Sequence, residues 1–264
     1  CEPLAGGGCH PHIVQLLGHG PRDKAGFVHL VMDYCAGGHL WQEVERRQRK
    51  AGGAAAGGAC FSEREAACVV VDVSAGLAHM HGLSPPLTHR DIKLENILLA
   101  EGGAWKLCDF GSCSERCGVI TELPRQALLE EQAEVERQST PMYRAPELAD
   151  LYSGAVVGPQ VDVWALGCVL HVLLCGVHPF QDATLQSGQW SLPASVSQQD
   201  RPLVAMLCDM LQRLPSQRPT STQTMRFARL VRDDRERAAT LTNQALAPEA
   251  AAPPQQQPQQ QPPP

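Results

Sequence analysis

The chain has 264 residues, 43% of them of hydrophobic type, which is enough for one sizeable domain with a substantial core. Lys and Arg number 22 against 28 Asp and Glu, and the net charge of −6 argues against a nucleic-acid binder or a polybasic membrane-surface protein. No apolar run is long enough to span a bilayer, Cys1-Glu-Pro lacks signal-peptide character, and 11 cysteines scattered in apolar runs such as Cys68-Val-Val-Val suit reduced thiols in a cytoplasmic protein.

Short apolar runs at residues 12–17 and 27–32, separated by Gly18, Gly20, Pro21 and Gly26, predict two strands and a turn. After Gly37-Gly38, residues 40–49 suit a helix, whereas the Ala/Gly run 51–59 offers little to bury and reads as a surface insertion. Ser62 and Glu65 form a capping-box pattern that predicts a mostly buried helix over 63–81. Residues 87–107 alternate hydrophobic runs with polar clusters around Gly102-Gly103, as short strands flanking a functional loop would. From 112 to 140 the chain is polar with no strong apolar period, and a long functional loop is expected there. Helical patterns follow at 161–177, which contains Trp164, and at 203–214. The domain is thus expected over residues 1–237, with 238–264 a disordered Ala/Pro/Gln-rich tail that cannot offset its ordering entropy.

The sharpest chemical signal is His89-Arg90-Asp91-Ile92-Lys93-Leu94-Glu95-Asn96, which places a carboxylate, an ammonium and an amide in one tight loop. Phosphoryl transfer needs a group to orient the attacking hydroxyl, positive charge on the moving phosphate and a held metal, which Asp91, Lys93 and Asn96 would supply in that order. Alone, the same residues also fit an ordinary polar turn that satisfies its own backbone. Asp109-Phe110-Gly111 then follows the strand-like run 105–108: an acid at a strand end can reach a metal on nucleotide phosphates, Phe anchors it and Gly lets the chain turn.

With Ala145-Pro146-Glu147 third in order, the chain resembles the eukaryotic protein kinases from His10 to Arg218. The resemblance implies an α+β, two-lobed protein kinase-like fold with an incomplete small β lobe and a complete, mainly helical large lobe. It implies ATP and Mg2+ as cofactors, Asp91, Lys93 and Thr140 as catalytic residues, and Asn96 and Asp109 as metal ligands. It places Met32, Asp33, Tyr34 and Cys35 at the gatekeeper and hinge that hold adenine, with Leu98 beneath the ring. Asp162 would brace the catalytic loop from a central buried helix, and Arg218 would pair with Glu147. Lys93 and Thr140 together imply protein substrates phosphorylated on Ser or Thr. The segments His89 to Leu99, Leu107 to Ser112, Tyr143 to Leu148, Leu151 to Gly154 and Trp164 to Cys168 are similar to the numb-associated kinases, a group that includes the adaptor-associated and cyclin-G-associated kinases. That similarity implies endocytic adaptor proteins as partners and a place at the periphery of coated vesicles.

Cys108, Cys113 and Cys117 lack the close pair and matching second half of a zinc site and are expected to be structural thiols. The family's glycine-rich loop and strand lysine are not found in the sequence and are expected upstream of Cys1, in a longer gene product; the chain by itself is therefore expected to be inactive as a kinase, Lys24 being the one small-lobe candidate for a substitute lysine. Two readings follow: a serine/threonine kinase, favoured by the intact Asp91, Lys93, Asn96 and Asp109, or a catalytically impaired kinase-like binding module.

Overall fold

The computed structural model describes residues 9–50, 59–180, 190–193, 196, 202–234 and 237–238. The run expected to be a surface insertion and the tail beyond 238 therefore lie almost wholly outside the described residues. Three short antiparallel strand pairs and seven α-helices make up the described fold: β1 (Leu16–His19) with β2 (Leu30–Met32), β3 (Ile97–Leu99) with β4 (Trp105–Leu107), and β5 (Gly118–Val119) with β6 (Val156–Val157).

The helices carry the core. Helix α2 (Glu63–His81) starts at a complete capping box, in which Ser62 Oγ accepts from Glu65 N at 3.3 Å and Glu65 Oε2 accepts from Ser62 N at 2.8 Å. Those bonds satisfy two backbone donors that a helix start leaves open, so the helix begins where the sequence predicts. Helix α5 (Gln160–Cys175) is buried almost end to end, because its residues are apolar on every face and α2 and α6 (Pro202–Met210) enclose it. Helix α7 (Ser221–Asp233), capped by Thr220 and Gln223, lies along α2 with Phe227, Ala228 and Val231 inward. Helix α1 (Leu40–Lys50) contributes Leu40 and Val44 to the core near β3.

The hairpin β3–β4 pairs Ile97 with Leu107, Leu98 with Lys106 and Leu99 with Trp105. It is held from both sides. Val14 N donates to Leu107 O at 2.8 Å and Leu107 N to His12 O at 2.9 Å, while Leu99 N donates to Gly38 O at 2.8 Å. Residues 12–14, expected at the start of a strand, therefore bridge to β4, and β1 begins only at Leu16. The second expected strand shortens to β2 for the same reason: regular pairing covers only residues 30–32. The described small lobe is this one strand pair, and its apolar side chains Leu17, Phe27, Leu30 and Val31 are exposed.

One expectation is overturned. The stretch 112–140 is no irregular loop: it contains β5, a 3-10 turn over Ile120–Glu122 and α3 (Arg125–Gln138). Leu128, Glu131 and Val135 are the buried positions of α3 and share one face at helical spacing. The apolar period is broken at its centre by a glutamate, so no amphipathic stripe shows in the sequence. The helix expected at 203–214 ends at Met210, because Leu214 caps a 3-10 turn over Pro215–Gln217.

Candidate active site

The loop between α2 and β3 turns back on the buried N-terminal end of α5. Asp162, in the first turn of that helix, accepts from His89 N and Arg90 N at 2.8 Å each and from His81 Nε2 at 2.8 Å. Burial alone would raise this carboxyl, but the His81 hydrogen bond and charge and the His89 N–H outweigh it and hold Asp162 below its usual value. Arg90 sits at φ 65°, a left-handed backbone that a branched polar chain adopts only when its surroundings impose it. The two N–H bonds to Asp162 are that imposition.

The turn sets Asp91 inward, beneath four hydrogen bonds. Its Oδ1 accepts from Thr140 Oγ1 at 2.7 Å and Thr140 N at 3.2 Å; its Oδ2 accepts from Lys93 Nζ at 2.6 Å and Asn96 Nδ2 at 3.0 Å. Lys93 Nζ also donates to Thr140 Oγ1 at 3.1 Å, closing a triangle among Asp91, Lys93 and Thr140. Asn96 spends its amide nitrogen on Asp91, with a second bond to the Asp91 carbonyl at 2.8 Å, so its side-chain oxygen is the atom left to accept or coordinate.

Cys108 N donates to Asn96 O at 3.0 Å, which brings the end of β4 and hence Asp109 beside the end of the loop. Asp109 lies at φ 61°, is exposed, and accepts from Gly111 N at 3.4 Å. Phe110 starts a 3-10 turn, its ring 5.4 Å from that of His89. His89 is fully buried, and burial pushes its imidazole below the usual value. Held neutral, it donates from Nε2 to Cys108 O at 3.1 Å and accepts from Asp91 N at Nδ1, so one ring couples Asp91 to the strand that carries Asp109. The flanking thiols Cys108 and Cys113 are pushed up to about 11 and about 12 by burial.

Leu98 lies mid-β3, half-buried, its backbone bridged to His39, so the segment 37–39 runs beside it. Met32 ends β2 and is exposed, as is Tyr34; Cys35 is half-buried with its thiol raised by desolvation. Asp33 is occupied: its carboxylate accepts from Lys106 Nζ at 2.7 Å and Gln15 N at 3.2 Å, and the Lys106 bond holds it below the ordinary carboxylate range. Met32 to Cys35 and Leu98 thus flank one edge of β3–β4, while Asp91, Lys93, Asn96 and Thr140 gather around the loop. Further on, Arg218 makes a bidentate pair with Glu147 at 2.6 and 2.8 Å, roofed by Trp164 with the guanidinium carbon 4.8 Å from the ring centre.

Several participants are invisible as motifs. His81 is an ordinary helix residue in the sequence, and Lys106 an ordinary strand lysine. Glu131 and Arg116 join Arg90 from a stretch that reads as loop, at 2.6 Å from Arg90 Nη1 to Glu131 Oε1 and 3.2 Å from Arg116 Nη1 to Glu131 Oε2. No local signal marks them; only the distance of their partners along the chain makes them matter.

A family profile described as "Protein kinase domain" matches residues 4–228. A Dictyostelium discoideum protein named "Probable serine/threonine-protein kinase" is 32% identical over 231 residues, 85% of this chain and 20% of that relative. Actin-regulating kinase 1 of Saccharomyces cerevisiae is 33% identical over 204 residues, 75% of this chain and 30% of its own length. Actin-regulating kinase PRK1 of the same yeast is 33% identical over 223 residues, 81% and 26%. The chain thus spans less than a third of each of these relatives. The matched residues take in the loop braced by the buried Asp162 and the buried Arg218–Glu147 pair, and the chain belongs to the protein kinase domain family.

Proposed function

We propose that this chain carries the catalytic part of a serine/threonine kinase that moves the γ-phosphate of ATP to protein hydroxyls. The observation that supports it most is the triangle of Asp91, Lys93 and Thr140, closed by bonds of 2.6, 2.7 and 3.1 Å. In it Asp91 is the acceptor that orients the substrate hydroxyl and receives its proton, and Lys93 is the cation beside the transferring phosphate. Thr140 fixes both, so neither must search for its position when substrate arrives. A binding module would have no chemical need of such a constellation.

Asn96 and Asp109 would hold Mg2+. Their free oxygens suit a hard cation that takes oxygen ligands, and such an ion would neutralise phosphate charge. Met32, Asp33, Tyr34, Cys35 and Leu98 would receive the adenine ring along the edge of β3, with Asp33 kept in place by Lys106. The kinase unit is residues 1–237, and the Ala/Pro/Gln composition beyond it supports a tail dispensable for folding. The numb-associated resemblance and two relatives named for actin regulation support substrates among endocytic adaptor and actin-associated proteins, at the cytoplasmic face of coated vesicles.

The test is ATP-dependent phosphorylation of serine, threonine and tyrosine peptides by an N-terminally extended form that carries the glycine-rich loop and strand lysine, and by the same form with Asp91→Asn. Phosphoserine and phosphothreonine are expected from the first, and a drop in kcat of roughly 1,000-fold or more with little change in the KM for ATP from the second. Near-normal turnover by Asp91→Asn would remove Asp91 from its role, and predominant phosphotyrosine would overturn the substrate class.

A further inference from the structure

The hairpin β3–β4 has one core face and one face toward residues 32–35, and alternation along the strands decides which side chains go where. Ile97 and Leu107 stand opposite each other, leave the same face and are fully buried. Leu98 and Lys106, the next pair, leave the other face and are both half-buried. The lysine arm therefore starts beside Leu98. Its ammonium ends on the segment 32–35, where Nζ donates to Asp33 Oδ2 at 2.7 Å, with 20% of the lysine and 26% of the aspartate side chain exposed.

Asp33 belongs to a closed ring of contacts. Its Oδ2 also accepts from Gln15 N at 3.2 Å, and its own N–H donates to Gln15 O at 3.0 Å. Gln15 follows Val14, whose N–H donates to Leu107 O at 2.8 Å, so the ring returns to β4 one residue beyond Lys106. Among the described bonds, only that of Lys106 with Asp33 joins residues 32–35 directly to the face that carries Leu98. A part-exposed ion pair of this kind adds little to stability. Its consequence lies in placement: a segment already held in position loses no freedom when a ligand arrives.

We propose that Lys106 is a positioning residue for the nucleotide: by holding Asp33 it sets the spacing between the segment 32–35 and the Leu98 face, and so the slot that takes the adenine ring. The inference rests on the reading that Met32 to Cys35 and Leu98 receive adenine, but its readout is nucleotide binding rather than phosphoryl transfer.

The experiment uses the N-terminally extended form as wild type, Lys106→Gln, Lys106→Arg and Asp33→Asn. Lys106→Gln is expected to raise the KM for ATP about fivefold or more, with kcat at saturating ATP within about twofold. Lys106→Arg keeps the charge and the donors and stays within about twofold of wild type on both. Calorimetry separates position from charge: adenosine, which carries no phosphate, weakens by the same factor as ATP when the slot itself is disturbed. Asp33→Asn has the effect of Lys106→Gln, and the two together go no further than either alone, because they break one contact. Wild-type KM in Lys106→Gln, a fall in kcat at unchanged KM, weaker ATP with unaltered adenosine, or additive effects of the two substitutions would each overturn the proposal. If Lys106→Gln fails to fold, adenosine binding by Asp33→Asn decides, with wild-type affinity there counting against the role of the pair. If the wild type binds ATP but transfers no phosphate, the kinase reading fails and the adenosine comparison still decides the role of Lys106. A wild type that binds neither nucleotide nor nucleoside overturns the proposal together with the adenine site.

Discussion

Asp162 is fully buried and serves three donors at once, two backbone N–H groups of the catalytic loop and the His81 ring. Removing a buried acceptor leaves its donors without water or partner, which costs more than the bonds themselves are worth. Asp162→Ala is therefore expected to lower stability by about 3–5 kcal/mol, within the range for breaking a buried charged network, and to release the strained backbone at Arg90. Asp162→Asn keeps one acceptor oxygen and should cost distinctly less. Denaturant unfolding of the two variants checks the ranking; equal stability for Asp162→Ala and wild type would mean that the loop is braced elsewhere. At the same scale Asp91, Lys93 and Asn96 stand out in the sequence as candidates, since their spacing is local, and the structure brings them together around one carboxylate. Glu131 does not stand out, because its partner Arg90 is 41 positions away.

At the scale of elements, α2 illustrates how a neighbour reverses a propensity. Glycine inside a helix is normally about 1 kcal/mol worse than alanine, so a substitution to alanine should stabilise an exposed position. Gly76 is different: a methyl group there would stand 2.9 Å from the carbonyl oxygen of His12 and 3.0 Å from Leu107 Cδ1. That carbonyl accepts from Leu107 N and so cannot retreat without breaking the bridge to β4. Gly76→Ala is expected to destabilise the chain by roughly 1–3 kcal/mol, the cost typical of overpacking. Thermal unfolding measures it, and a raised Tm would show that the 12–14 segment yields. Capping signals made α2 readable to the residue, whereas α3 was missed because its buried stripe passes through a charge.

Across the whole molecule, burial holds His10, His89, His171 and His178 below the usual imidazole value, His178 at about 4. In the unfolded chain these rings take up protons as pH falls through about 6.5, while the folded chain leaves them neutral. The unfolded state thus binds more protons in this window, and stability is present above about pH 6.5 and is lost progressively as the pH drops toward 4. Lowered carboxyls such as Asp162, Asp33 and Glu43, the last at about 2, add to the loss at still lower pH. A Tm profile is expected to decline from pH 7 to 5, before carboxylates titrate, and His178→Asn is expected to flatten it in part. A profile level down to pH 4.5 would contradict the assignment of these rings as buried and neutral.

By itself the sequence determined the order of the three motifs and the start and end of α2, because capping and helical period act between near neighbours, while the resemblance of those motifs to the protein kinases supplied the expected α+β architecture and the candidate site residues. Tertiary structure alone decided that residues 125–138 form a helix, that Glu131 meets Arg90, that His81 joins Asp162 and that Lys106 engages Asp33. The last three are contacts between charged or polar groups brought together by packing. Their stabilities depend on shared burial rather than on local pattern, and burial is a property of the folded chain.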